Sequence, residues 1–330
     1  MEDPAAKYRQ IFSISSEQEF NEFALEIFRF QFARNHIYRQ YCELIKCESG
    51  SIRHYSNIPF LPIEFFKNHR ISSTPGKAEL EFKSSGTTFS APSTHHVLRK
   101  EIYMESLLKG FELFYGKPEE YCILALLPSY LERDNSSLVF MVNELIKRSG
   151  DRNSGFYLHN LEELHLQLRK QKEKPSKTLL IGVTFALLEL AEKYPISFPD
   201  LIMMETGGMK GRRKEMIREE LHAFLQKAFG LDGVHSEYGM TELLSQAYAV
   251  KDGFFRTPPW MKVLVRDVND PLSLETRDRS GGINIIDLAN LHSCSFIATQ
   301  DLGRRHADGS FEVLGRFDNS DVRGCNLMVG

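Results

Sequence analysis

Between Tyr121 and Gly230 the sequence alternates short apolar runs with amphipathic stretches, and this alternation restricts the fold more than any other feature. "YCILALLPSY" reads as a buried strand, and "SSLVFMVNELIKRSG" and "LEELHLQLRKQKE" read as helices. "KTLLIGVT" is a strand feeding the helix "FALLELAEKY". "DLIMMETGG" is a strand ending in a glycine turn, ahead of the helix "RRKEMIREELHAFLQKAFG". Strands that alternate with crossover helices predict an α/β domain built on a mixed or parallel sheet. The chain has 330 residues, 42% of them hydrophobic, which is enough for one large or two modest domains.

The flanks have a different texture. "SSEQEFNEFALEIFRFQFARNHIYRQYCELI" repeats apolar residues at three and four, with Ser15 or Ser16 as a cap, and predicts one long amphipathic helix. The prolines of "NIPFLPIEFFK" break it into an extended apolar segment. Leu80 to Phe82 is a short strand, a hydroxyl-rich loop follows, and a helix is expected to begin near His96. After residue 245, "WMKVLVRDV", "GINIIDL", "SCSFIATQDLG" and "SFEVLGRF" are short strands joined by Gly, Asp and Pro turns. The expected organisation is therefore an α/β core with an N-terminal helical segment over residues 1–245. A smaller, mostly β region spans 246–330.

Composition excludes several classes. A formal net charge of −3, with 26% charged residues, gives no bulk attraction to nucleic acid or an anionic membrane. No stretch approaches the ~20 apolar residues of a membrane helix. The acidic N-terminus has no apolar signal core, so no signal peptide is expected. The five cysteines, Cys42, Cys47, Cys122, Cys294 and Cys325, are scattered and odd in number. They fit neither a disulfide scaffold nor a zinc cluster, and predict a reduced, cytoplasmic protein.

Three segments can carry chemistry. "KSSGTTFSAPS" is a hydroxyl-rich loop around Gly86, able to wrap backbone N–H groups and hydroxyls around phosphate oxygens. It is equally a common Ser-Gly-Thr turn. "HSEYGMTEL" puts Tyr238, Gly239, Thr241 and Glu242 within five residues. A ring can stack on a base, a hydroxyl can hold a phosphate, and a carboxylate can hold Mg²⁺ between phosphates. "TQDLG" places Asp301 in a turn after a strand, where a carboxylate can take ribose hydroxyls or simply form the turn. "LGRFDNSD" then supplies Arg316 and Asp318. His95 and His96 read as surface residues, and Lys210, Arg212, Arg213 and Lys214 as a solvated face. Other templates fail: the sequence has no G-x-S-x-G, G-x-G-x-x-G or H-E-x-x-H.

The order of these pieces resembles the adenylate-forming enzymes, a group that includes acyl-coenzyme A ligases. "IPFLPIEFFK", "SSGTT", "ETGGMKGRR", "YGMTEL" and the terminal "VRGC" narrow the resemblance to the LuxE-type acyl-protein synthetases, from about residue 15 to the end. The resemblance implies an adenylate-forming α/β domain, with mixed or parallel sheets flanked by helices plus a small β region. It implies that the chain ends at the hinge, where larger ligases continue into a C-terminal lid domain. It implies that ATP and a carboxylic acid, in this family a fatty acid, give an acyl-adenylate and pyrophosphate. The acyl group then moves to a cysteine near the C-terminus and on to a partner acyl reductase.

Carried onto this sequence, the resemblance makes Ser84, Ser85, Gly86, Thr87 and Thr88 the phosphate loop. Gly207 and Gly208 line the adenine, and Tyr238 with Gly239 packs on the base or substrate side. Thr241 meets the α-phosphate and Glu242 holds Mg²⁺. Asp301 takes the ribose hydroxyls with help from Arg316, and Cys325 is the acyl acceptor. Arg323 and Arg316 favour its thiolate, and Gly324 supplies a hinge. The lysine that usually follows the phosphate loop is missing from "SSGTTFSAPSTHH", leaving His95 or His96 as substitutes. Two other functions fit the same motifs: a phenylacetate-ligase type of coenzyme A ligase, and a non-catalytic acyl- or nucleotide-binding subunit of a reductase complex.

Overall fold

A computed structural model describes residues 9–84, 92–127, 135–158, 160–207, 216–275 and 279–317. In chain order its elements open with α1 (Glu17–Arg34), α2 (His36–Leu44), β1 (Leu61–Pro62), α3 (Phe65–Asn68), β2 (Leu80–Lys83) and β3 (Thr94–Val97). The alternating stretch follows: α4 (Lys100–Tyr115), β4 (Tyr121–Leu126), α5 (Ser137–Ser149), β5 (Gly155–Tyr157), α6 (Leu161–Lys172), β6 (Lys177–Val183) and α7 (Thr184–Lys193). It closes with β7 (Leu201–Thr206), α8 (Arg218–Phe229), β8 (His235–Tyr238) and β9 (Ala247–Ala249). The chain then runs through β10 (Met261–Arg266), β11 (Gly281–Asp287), β12 (Phe296–Arg305) and β13 (Phe311–Arg316).

These elements form two compact units. One contains Leu80–Thr94 and Lys100–Pro258. Its sheet has the order β5-β4-β6-β7-β8-β9, parallel throughout except for the antiparallel β9. Every residue of β4 is buried, as expected for a strand covered by helices on both faces. Ile123, Leu124, Leu180, Ile181 and Met203 from the strands pack with Leu225 and Phe229 of α8. The helix ends follow local rules: Ser136 caps α5 through the Val139 N–H, and Gly150 closes it in a left-handed conformation. The expected mixed α/β architecture is thus present.

The other unit contains the chain up to Glu79, His95–Arg99 and the chain from Pro259. Its sheet runs β1-β12-β11-β10, with β13 also on β12. β1 lies parallel to β12, so a segment near residue 61 pairs with one near residue 297. The remaining pairs are antiparallel.

Two local expectations are corrected. The long N-terminal helix is two helices, because Asn35 is extended and its side chain caps α2 through the Tyr38 N–H at 3.0 Å. The same side chain donates to the Ser293 carbonyl at 3.1 Å, a tertiary contact that favours the break. No helix begins near His96. Thr94 to Val97 form β3 with alternating burial, and α4 starts at Lys100. His95 is accordingly inside, 1% exposed and edge-on to Phe66, and is no surface residue.

Candidate functional site

Parallel sheets present ligand sites at the carboxyl ends of their strands, where loops and helix starts converge. In the α/β unit the ends of β7 and β8 lie side by side, with Thr206 paired to Glu237. Gly207 follows Thr206 with φ +70°, a left-handed conformation that suits glycine. Its carbonyl accepts a 2.7 Å hydrogen bond from Thr184 at the start of α7. Thr206 donates its hydroxyl to Glu237 at 2.5 Å. The next residue, Tyr238, is buried and meets Phe255 edge-on at 5.8 Å. At Gly239 a Cβ would stand 2.5 Å from a Glu237 carboxylate oxygen, so any larger residue would force that side chain to shift. β9 then runs back along β8, and the loop between them carries half-buried Thr241 and buried Glu242.

The base of the hydroxyl-rich loop belongs to the same unit. Ser84 and Ser93 close it: the Ser84 N–H donates to the Ser93 carbonyl at 3.0 Å, and the Ser93 N–H donates to the Ser84 hydroxyl at 2.9 Å. The buried Ser93 hydroxyl in turn donates to the Glu242 carboxylate. Ser84, Gly207, Tyr238, Gly239, Thr241 and Glu242 are therefore all in one unit. Ser93 directly joins the loop base to Glu242. Ser85, Gly86, Thr87, Thr88, Gly208 and Cys325 lie outside the described residues, as do the basic residues 210–214 and Arg323.

A buried acidic network surrounds the strand ends. Burial pushes Glu237 up to about 7; the Thr206 hydrogen bond opposes the rise and the neighbouring Glu205 charge adds to it. Burial acts on Glu205 in the same direction, but His222, Arg218 and Ser236 together hold its carboxyl below the ordinary value. His222 and Arg218 approach it to 3.8 and 3.6 Å. His235 is pushed down to about 4 by burial and by His222.

Asp301 and Arg316 belong to the other unit. Asp301 lies inside β12 rather than in a turn, since Asp301 to Arg305 are paired with β13, with an irregularity at Leu302/Gly303. Its register partner on β13 is Arg316, whose Nε stands 3.2 Å from the buried Asp301 carboxylate. The Asp301 side chain is 9% exposed and that of Arg316 is 76% exposed.

Among the described residues no cluster of three or more His, Cys, Asp or Glu offers a protein-only metal cage. Glu242 fits the other mode of Mg²⁺ binding, one hard carboxylate with the remaining positions filled by phosphate oxygens and water. Ser93, Thr184 and Glu237 match no sequence motif of their own. Each acts through a tertiary contact that spacing does not encode. No helix among the described residues is long and apolar enough to cross a membrane.

Comparison with solved structures finds the same fold in larger proteins. An ATP-bound MatB from Rhodopseudomonas palustris is 16% identical, with a TM-score of 0.55 over 73% of this chain and 49% of that one. A 2-hydroxyisobutyryl-CoA ligase in complex with 2-HIB-AMP and CoA is 12% identical, with a TM-score of 0.69 over 96% of this chain and 70% of that one. The chain thus spans about half the length of the MatB chain it matches. At these identities the likeness is one of fold, that of the adenylate-forming ligases. No curated protein sequence matches. The model of the family described as acyl-protein synthetase, LuxE, matches residues 10–330, and with nearly the whole chain matched, this protein belongs to the LuxE acyl-protein synthetase family.

Proposed function

We propose that this protein activates a carboxylic acid, of the fatty acyl class, with ATP as an acyl-adenylate and transfers the acyl group to Cys325. The observation that carries this function is the contact from Ser93 to Glu242. It joins the base of the hydroxyl-rich loop, suited to phosphate oxygens, to the carboxylate suited to Mg²⁺. Gly207 follows the end of one strand and Tyr238 ends the adjacent strand of the same unit.

In the first step a substrate carboxylate oxygen attacks the α-phosphorus of ATP and pyrophosphate leaves. Ser84 receives the phosphates through its hydroxyl and Ser85 to Thr88 through N–H and hydroxyl donors, and the Thr241 hydroxyl donates to the α-phosphate. Gly207 and Gly208 line the adenine, Tyr238 with Gly239 packs on the base or substrate side, and Asp301 accepts from the ribose hydroxyls with help from Arg316. Held by Glu242, Mg²⁺ would offset the charge developing on the phosphate oxygens. In the second step the Cys325 thiolate attacks the acyl carbon and AMP leaves. Water also hydrolyses a mixed anhydride, but a tethered thiolate competes by proximity, worth up to ~7–11 kcal/mol in ideal geometry. An acyl-reductase partner would then accept the acyl group from the thioester.

ATP–pyrophosphate exchange with a panel of carboxylic acids tests the first step. Intact-mass measurement after incubation with ATP, Mg²⁺ and an active acid tests the second. An acyl adduct is expected without coenzyme A, and it disappears in Cys325→Ser. An adduct that survives in Cys325→Ser rules out this acceptor. Formation of free acyl-coenzyme A in place of the adduct would identify a coenzyme A ligase.

A further inference from the structure

Glu237 stands next to Tyr238 and takes no part in the reaction above, yet it touches both strand ends that frame the candidate site. One carboxyl oxygen accepts from Thr206, the residue before Gly207, at 2.5 Å. The other lies against Gly239, where a Cβ would approach it to 2.5 Å. A single buried side chain, 8% exposed, thus spans from the end of β7 to the turn leaving β8.

Among the described residues, no positive charge acts on its carboxyl. From β7 it meets Thr206 and the Glu205 charge; on β9 its register partner is Tyr248; from α4 the phenol of Tyr115 is within electrostatic range. Gln246 approaches from the β8–β9 loop, packing beside Gly239. The nearby basic side chains of α8, Arg218 and His222, approach Glu205. On β8 itself, His235 is held neutral by burial. An unpaired carboxylate taken out of water is costly, so a carboxyl in this position keeps its proton instead. The rise of Glu237 to about 7 agrees with that geometry.

We propose that Glu237 is a positioning residue whose protonated carboxyl holds the Gly207 and Tyr238–Gly239 segments together, so that losing one proton loosens the strand ends and slows acid activation. The second half rests on the function proposed above. Ionisation would bury a second negative charge beside Glu205 with one hydroxyl to solvate it, and outward movement of the carboxyl would release both contacts.

Hydrogen–deuterium exchange of peptides covering Thr206–Gly207 and Tyr238–Gly239, at about pH 6 and about pH 8 and corrected for intrinsic rates, tests the positioning. Wild type should lose protection severalfold at the higher pH. Glu237→Gln, isosteric and uncharged, should keep it at both. Glu237→Asp, one methylene short of both contacts, should be unprotected at both. Equal protection of wild type at the two pH values overturns the inference. So does a Glu237→Gln variant that either follows the wild-type pH response or lacks protection throughout.

ATP–pyrophosphate exchange over the same range tests the consequence. The wild-type rate should fall, approaching about tenfold per pH unit above the ionisation, while Glu237→Gln stays level. A rate in Glu237→Gln that falls as in wild type overturns the link to activity. No exchange with any acid, alongside pH-dependent protection, overturns the proposed function and leaves the positioning role standing.

Discussion

Gly239 and Glu242 show how single residues divide the work around β8. Gly239 is constrained by packing: a methyl there meets the Glu237 carboxyl at 2.5 Å. Gly239→Ala should destabilise the protein by about 1–3 kcal/mol, measured by urea unfolding, because the buried carboxyl cannot move aside without losing Thr206. Glu242 is a chemical requirement under the proposed function. Glu242→Gln should cut pyrophosphate exchange by about 10²-fold and weaken the response to Mg²⁺, with the circular dichroism spectrum unchanged. Asp301 makes a different prediction. Under the same proposal its hydrogen bonds to ribose would act in ground and transition states alike, so Asp301→Ala should raise the KM for ATP about 10–100-fold with kcat little altered. A kcat loss with unchanged KM would remove it from the ribose role.

Elements are tied across long sequence separations by a few amides. Gln31 of α1 donates to the carbonyls of Asn290 and Leu291 at 3.1 and 2.9 Å and accepts from the Ser295 N–H at 2.9 Å. Asn35 caps α2 and donates to the Ser293 carbonyl. Both are buried, so their loss leaves backbone groups without water to replace them. Asn35→Ala should cost about 1–2 kcal/mol, and Gln31→Ala more, each measured by urea unfolding. Periodicity made α1 visible in the sequence but not its end. The break at Asn35 is reinforced by Ser293, far along the chain. Thr94 to Val97 are ambiguous in the sequence for a related reason: four residues hold too little pattern to separate a strand from a helix start.

For the molecule as a whole, the buried carboxyls set opposite pH dependences. Glu237 has a folded value raised from 4.5 to about 7, so the unfolded chain gives up its proton first. Its contribution is complete below 4.5 and is lost as pH rises through about 7. Glu205 is depressed, and its contribution is present above 4.5 and lost as pH falls below it. Between about pH 5 and pH 8, wild type should therefore lose about 1–3 kcal/mol relative to Glu237→Gln, seen as a falling difference in Tm. A constant difference would mean that Glu237 does not titrate in this range.

What the sequence determined by itself was the alternation from β4 to β8 and the order of the chemical segments. Buried parallel strands and crossover helices leave strong local patterns, and "YGMTEL" holds its candidate site groups in adjacent residues. Only the tertiary structure decided that β1 joins β12, that Asp301 sits within a strand opposite Arg316, and that Ser93 meets Glu242. Each joins residues separated by a long or intervening stretch of chain. Pairing and burial, which also turn Glu237 from an ordinary acid into a group that holds its proton near neutrality, are properties of neighbours in space.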